Sequence, residues 1–189
     1  AMIFLIIFSH NIWIFSVSIV SVCLFSFYEW IKNDFKNNYF GFLLIFNFGF
    51  WSIFYTSIDN SAYVFYGLII LNTACFDTFA YLVGSKFGKT YIAKDISPNK
   101  TLEGFIGGLI VSVSLGCLAG YIFNMYILII IFVIGSISAF IGDLLISYFK
   151  RKSGVKDTGT ILPGHGGVLD RVDSHLLATP LLILIIIIM

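Results

Sequence analysis

An all-α, polytopic membrane fold is what this sequence predicts, and three observations predict it. Of its 189 residues 59% are hydrophobic and only 11% are charged, against about 25% Asp, Glu, Lys and Arg in an ordinary soluble domain. The mean hydropathy is +0.98 with 21 Phe, which leaves too little polar surface to cover a water-soluble globule. The apolar residues also fall in runs of roughly 20, the length of a bilayer crossing, with room for about six helices. Stretches such as Ile127 to Ile134 are apolar at every position and do not alternate as the strands of a membrane barrel must. Disorder and a secreted disulfide scaffold are excluded by the same composition. A net charge of +1 gives no case for a nucleic acid or another bulk polyanion as partner.

Taken in order, the predicted spans are 10–30, 39–57, 61–84, 105–123, 125–148 and 174–189, with 2–8 a stub or an extension of the first. The turns between them fall at polar interruptions, because a backbone in lipid must satisfy its own hydrogen bonds. The run from Met2 lacks a basic leader region and a small-residue cleavage site, so it reads as membrane helix and not as a signal peptide. Trp13, Trp30 and Tyr39, near span ends, are expected as interface anchors. Cys23, Cys75 and Cys117 sit in separate apolar runs without metal-ligand spacing and read as small packing residues. His10 and His175 read as structural. Residues 1–189 are expected to form one membrane domain.

The basic residues are distributed with a bias. Lys32 and Lys36 lie in the first connection, Lys86, Lys89, Lys94 and Lys100 in the third, and Lys150, Arg151, Lys152, Lys156 and Arg171 in the fifth, which accounts for all 11. The second and fourth connections hold none. The positive-inside rule then puts the odd connections in the cytoplasm and both ends of this sequence outside. The third and fifth connections are longer than helix pairs need, so chemistry is expected there, in a cytoplasm-facing polar cavity.

Two carboxylates interrupt the apolar spans. Asp77 lies seven residues before Gly84 and Asp143 seven before Lys150, so both sit roughly 10 Å inside the cytoplasmic boundary on helices running inward. A carboxylate there costs about 2.5–3.5 kcal/mol, and a shared cavity, a cation or a partner lysine would offset it. The fifth connection is the most informative stretch. Gly164, Gly166 and Gly167 permit an amide nest for an anion around His165, and Lys150, Arg151, Lys156 and Arg171 supply cations. Asp170 and Asp173 follow, three apart at the start of the last helix and hence on one face. Carboxylates beside a phosphate site repel it unless a divalent cation intervenes, which is how Mg²⁺ is held with a nucleotide. Asp143 and Asp170 are the expected Mg²⁺ ligands, with Asp173 and Asp77 as second ligands or orienters.

The run Ser147-x-x-Lys150-Arg151, Lys156-Asp157, Pro163-x-His165-Gly166-Gly167-x-x-Asp170-Arg171-x-Asp173 closely resembles the C-terminal signature of the phosphatidate cytidylyltransferase (CDP-diacylglycerol synthase) family. So many fixed positions within 27 residues leave little room for chance. Asp77-x-x-Ala80-Tyr81 and Ser97-Pro98-Asn99-Lys100-Thr101-Leu102-Glu103-Gly104 resemble two further family elements, with Leu102 where many relatives carry an aromatic residue. The resemblance covers 72–180, the expected catalytic region, while 1–70 rest on hydropathy alone. Because the sequence is shorter than typical members, further helices are expected ahead of it.

The resemblance implies attack by the phosphate of phosphatidic acid on the α-phosphate of CTP, with Mg²⁺ and room for a second cation. It implies catalytic roles for Asp143, Lys150, Arg151, Asp170 and His165. Substrate contacts are implied for Ser97, Lys100, Thr101, Ser147, Lys156, Asp157, Gly164, Gly166, Gly167 and Arg171. For His165 a phosphate hydrogen bond or a turn-orienting role fits better than a base, since a phosphomonoester is mostly dianionic at neutral pH, its second pKa being about 6. The implied setting is a bacterial inner membrane with the site on the cytoplasmic side, membrane lipids around it and a homodimer as a compatible assembly. Two alternatives remain: another CTP-dependent lipid transferase, such as a polyprenol kinase or an archaeal-lipid homologue, and a cation transporter using Asp77 and Asp143.

The charge bias makes a direct prediction of sidedness. In oriented vesicles a Ser153→Cys variant should react with an impermeant thiol reagent only from the cytoplasmic side, and CTP should slow the reaction. Labelling from outside would overturn the topology.

Overall fold

The computed structural model describes residues 9–159 and 166–189. Five long helices come first: α1 Ile12–Lys32, α2 Asn38–Ile58, α3 Ser61–Phe87, α4 Leu102–Phe123 and α5 Leu128–Lys152. A single turn, α6 Leu169–Val172, leads into α7 His175–Ile188, and the two make one apolar segment. Among the described residues, six segments are therefore long and apolar enough to cross a membrane, as the composition predicts.

Local chemistry sets the helix ends. The Asn11 side chain accepts from the Trp13 and Ile14 amides, and the Asn37 side chain from Phe40 N–H, so each caps the helix that follows. Thr101 caps α4 through Gly104 N–H at 3.2 Å. Asn124, in the left-handed region at φ 54°, closes the same helix by donating its N–H to Gly120 O. α3 and α5 run to Phe87 and Lys152, beyond the predicted 84 and 148. A hydropathy window stops at the first charge, whereas Lys150, Arg151 and Lys152 favour the helix C-terminus through its dipole.

Helix α3 is central, packing on α2, α4, α5 and α7, while α1 lies at the edge against α2 and α6. One apolar cluster, with Phe15, Tyr63, Tyr66, Ile131 and Leu182, fills the end remote from the basic connections. A second, with Trp30, Phe35, Phe48, Ile146 and Leu176, fills the basic end, and Phe76, Ala139 and Ala178 pack between them. Midway, Asn72 Nδ2 donates to Phe132 O at 3.1 Å and Ser136 Oγ at 3.2 Å, and Ser136 meets Ser112 at 2.5 Å. This polar seam joins α3, α4 and α5 where no water competes.

The three basic connections meet at one end of the bundle. Arg151 Nε donates to Ile96 O at 3.0 Å, tying the fifth connection to the third, and Ser153 Oγ donates to Asp34 O at 3.3 Å, tying it to the first. Trp30 departs from expectation. It is fully buried, packed edge-on against Phe35 and tilted against Phe149, because Gly41 leaves room for its indole. Trp13 and Tyr39 are exposed, as anchors should be. Cys117 is exposed on α4 and fills no core site, while Cys23 is half-buried and donates to Ile45 O.

The C-terminal half of α3 approaches α4 through glycines. A Cβ on Gly104 would come within 2.5 Å of Ala80 O and 3.0 Å of Gly84 Cα. Because backbone cannot step aside, Gly104→Ala should cost about 1–3 kcal/mol of stability. It should lower the thermal midpoint in detergent and, by lifting Thr101 and Lys100, reduce activity as well; an unchanged midpoint would contradict the packing described.

Candidate active site

The third connection is folded back onto the start of α4. Ile92 N–H donates to Lys100 O at 3.0 Å and Leu102 N–H to Thr90 O at 2.8 Å, around an antiparallel bridge between Tyr91 and Thr101. Glu103 Oε2 accepts from the amides of Lys89 and Thr90 at 3.1 and 3.2 Å. Thr101, buried, is occupied with capping α4. Lys100, one residue before the cap, is thereby held just outside the helix and points inward.

A cavity of about 200 Å³ opens beneath it, lined by Asp77, Ser97, Asn99, Lys100, Thr101 and Asp143 among the apolar Phe76, Phe105 and Phe140. The equal depth of the two carboxylates, predicted from seven-residue spacings, is realised as one shared chamber. Lys100 Nζ lies 2.6 Å from Asp143 Oδ2 and 4.8 Å from the Phe140 ring centroid. Lys100 and Asp143 form a close, largely buried ion pair, and an ammonium with three donors keeps capacity beyond it. Ser147 Oγ donates to Asp143 Oδ1 at 3.1 Å, one turn along α5. Asp77 accepts from the Ser174 side chain, which brings the start of α7 to the chamber.

Asp173 joins this group. Its Oδ1 accepts from Ser174 N–H at 2.8 Å, and its charge is felt by Asp143 and Asp77. Lys100 is thus set against Asp143 and Asp77, while Lys150 is the cation within reach of Asp173. Asp170 lies three residues earlier on backbone that stays helical through residues 173 and 174, but its oxygens are taken up by other partners. Its Oδ1 accepts from Lys150 Nζ at 2.9 Å, and its Oδ2 accepts from Thr158 N–H at 2.8 Å and Gly167 N–H at 3.0 Å. Lys150 and Asp170, both largely buried, form an ion pair that fastens the fifth connection to α5.

The remaining predicted residues divide. Gly166 adopts φ +80°, and a Cβ on Gly167 would collide with Thr158 and Glu29, so both positions require glycine. Arg151 spends Nε and Nη1 on the carbonyls of Ile96 and Val155. Lys156, Asp157 and Arg171 are exposed at the basic end. Gly164 and His165 lie outside the described residues. Glu29, at the end of α1, was not foreseen: it is fully buried and accepts from Thr158 Oγ1, Val168 N–H and Leu169 N–H at 2.8–2.9 Å. The available signal was one acid near the end of an apolar helix, which hydropathy averages away.

The whole chain, residues 1–189, matches the profile of the cytidylyltransferase family. The chain belongs to that family. It is 46% identical over 143 residues to a phosphatidate cytidylyltransferase of Staphylococcus aureus and 43% identical over the same length to that of Staphylococcus haemolyticus. In each case the match covers 74% of this chain and 54% of the relative, so the chain spans about half the length of these curated relatives. A Staphylococcus epidermidis phosphatidate cytidylyltransferase is 38% identical over 143 residues.

Residues of the chamber could hold a divalent cation together with phosphate oxygens. No group of three His, Cys, Asp or Glu side chains among the described residues forms a ready metal cage. Mg²⁺ does not ask for one, being bound by one or two carboxylates plus phosphate oxygens. Asp143 and Asp77, in the same chamber, would be the residues to hold such an ion. Asp170 offers less, since both its oxygens already accept protein donors.

Asp143→Asn should therefore lower turnover by at least about a hundredfold, the order lost with one preorganised electrostatic contact, in protein that still inserts and folds. Near-normal turnover with unchanged Mg²⁺ dependence would remove Asp143 from the site.

Proposed function

We propose that this chain carries the catalytic centre of an enzyme that transfers the cytidylyl group of CTP to phosphatidic acid, yielding CDP-diacylglycerol and pyrophosphate for phospholipid biosynthesis. The observation that carries the reading is the chamber in which Asp77 and Asp143 face Lys100 between apolar helices. An oxygen of the lipid phosphate attacks the α-phosphorus of CTP, and the bond from that phosphorus to the bridging oxygen of the departing pyrophosphate breaks. The nucleophile is already largely dianionic, so no protein base has to take a proton from it. What the protein must supply is positioning and neutralisation of two polyanions.

Lys100 is suited to this, as a desolvated ammonium with donor capacity beyond its ion pair with Asp143 and whose charge-assisted bond to a phosphate oxygen would be worth about 1.5–3 kcal/mol. Mg²⁺, held by Asp143 with help from Asp77 or Asp173, would screen the triphosphate and polarise the α-phosphate. The Lys150–Asp170 pair fixes the start of the last crossing and, with it, the direction of Asp173. Ser147, bonded to Asp143, orients that carboxylate.

We put the reaction at the cytoplasmic face of a bacterial plasma membrane. In support, all 11 basic residues gather at the end of the bundle where the chamber opens, and bacterial cytoplasmic connections are rich in Lys and Arg. CTP enters from water, while phosphatidic acid arrives laterally with its acyl chains still in hydrocarbon. Carboxylates roughly 10 Å below the boundary suit a headgroup drawn slightly inward.

The test is isotope transfer from [α-³²P]CTP or [γ-³²P]CTP into lipid in the presence of phosphatidic acid and Mg²⁺. Label from the α position alone is expected. Label from the γ position would make the protein a kinase, and label from neither would defeat a transferase reading and leave a transporter.

A further inference from the structure

Glu29 stands outside every element that resembles the family signature, yet it is one of the most thoroughly bonded carboxylates among the described residues. It is fully buried. Its Oε2 accepts from Thr158 Oγ1 at 2.8 Å and from Leu169 N–H at 2.9 Å, and its Oε1 accepts from Val168 N–H at 2.9 Å. All three partners are donors, so the site is built for a carboxylate, an acceptor at both oxygens. The backbone around it is shaped to admit it: a Cβ on Gly159 would come within 2.6 Å of Oε1, and one on Gly167 would meet Oε2. Next to it, Asn33 Nδ2 donates to Thr158 O at 2.6 Å and Glu29 O at 2.7 Å.

These bonds reach both arms of the fifth connection, Thr158 on the way out and Val168 and Leu169 on the way back. Asp170 grips the same two arms from the other side, through Thr158 N–H and Gly167 N–H, and is itself anchored by Lys150. Thr158 is therefore shared, its hydroxyl held by Glu29 and its amide by Asp170. A carboxylate on α1 and another on α6 close the neck of the connection between them. We propose that Glu29 is a positioning residue for the reaction centre: it sets the neck so that Lys150, Asp170 and Asp173 keep their directions at the chamber. This rests on the cytidylyl-transfer reading for its kinetic consequence, though not for the clamp itself.

The experiment compares Glu29→Gln, Glu29→Asp and wild type in the full chain, with three readouts. Glutamine keeps the shape but turns one acceptor into a donor facing a donor, so kcat should fall about ten- to a hundredfold, as for small misplacements of reacting groups. The Michaelis constants for CTP and phosphatidic acid should change less than about threefold, since the residue touches neither substrate. Glu29→Asp, which keeps the charge, should recover part of the loss. Limited trypsin digestion should show faster cleavage after Lys152 and Lys156 in Glu29→Gln, with cleavage after Lys89 and Lys94 unchanged. Equal acceleration at both connections would mean general destabilisation and would overturn the proposal, as would wild-type kcat in an active Glu29→Gln protein. If wild type itself transfers no label, the functional reading fails, and the digestion pattern alone decides the clamp.

Discussion

Ionised groups inside hydrocarbon have to be compensated by one another, and this bundle places Asp77, Asp143 and Asp173 within electrostatic reach of each other, with Lys100 against Asp143 and Asp77 and Lys150 within reach of Asp173. Each carboxylate carries a cost of about 2.5–3.5 kcal/mol by insertion scales. The surroundings are arranged to reduce it: Ser147 and Ser174 bond two of the acids, and the backbone of Ser174 bonds the third. What remains is a shortage of cations for these acids. The divalent cation proposed above would make up that shortage and draw phosphate with it.

The close approach of α3 and α4 follows from the same need. Lys100 must arrive from outside the membrane and still reach a carboxylate well inside it. Capping by Thr101, the hydrogen bonds of Glu103 to the preceding turn and the contact of Gly104 with Gly84 bring the root of that side chain low enough. Larger residues at these glycines would part the helices and lift the ammonium away from Asp143. The Asn72–Ser136–Ser112 seam holds the same three helices together farther from the basic end.

Much of this was legible in the sequence, for identifiable reasons. Apolar runs disclose spans because lipid imposes length and composition together, and Asp77 and Asp143 could be set at one depth because helical rise is constant. The three-residue spacing of Asp170 and Asp173 could be read because the backbone is helical through both, but not that Lys150 and the amides of Thr158 and Gly167 would take up Asp170. Trp30 was misjudged because its burial depends on Gly41, in another helix. Glu29 escaped for a related reason: its partners lie 129 to 140 residues away, and no local pattern encodes so distant a contact. Arg151, readable as a phosphate ligand, bridges two connections that a linear reading treats separately.

The separation between Glu29 and its partners also has a consequence for biogenesis. α1 enters the bilayer while the residues that will bond its carboxylate are still to be synthesised. Because Glu29 sits in the last turn of α1, three residues before Lys32, headgroup water can solvate it in the interval; the same acid at mid-helix would have no such refuge. The bonds to Thr158, Val168 and Leu169 form only after the fifth connection has been made and the crossing that follows it begun. A helix made early is thus completed by one made much later, and a chain stalled before that point keeps an unsatisfied acid at the membrane surface, a mark by which unfinished molecules differ chemically from finished ones.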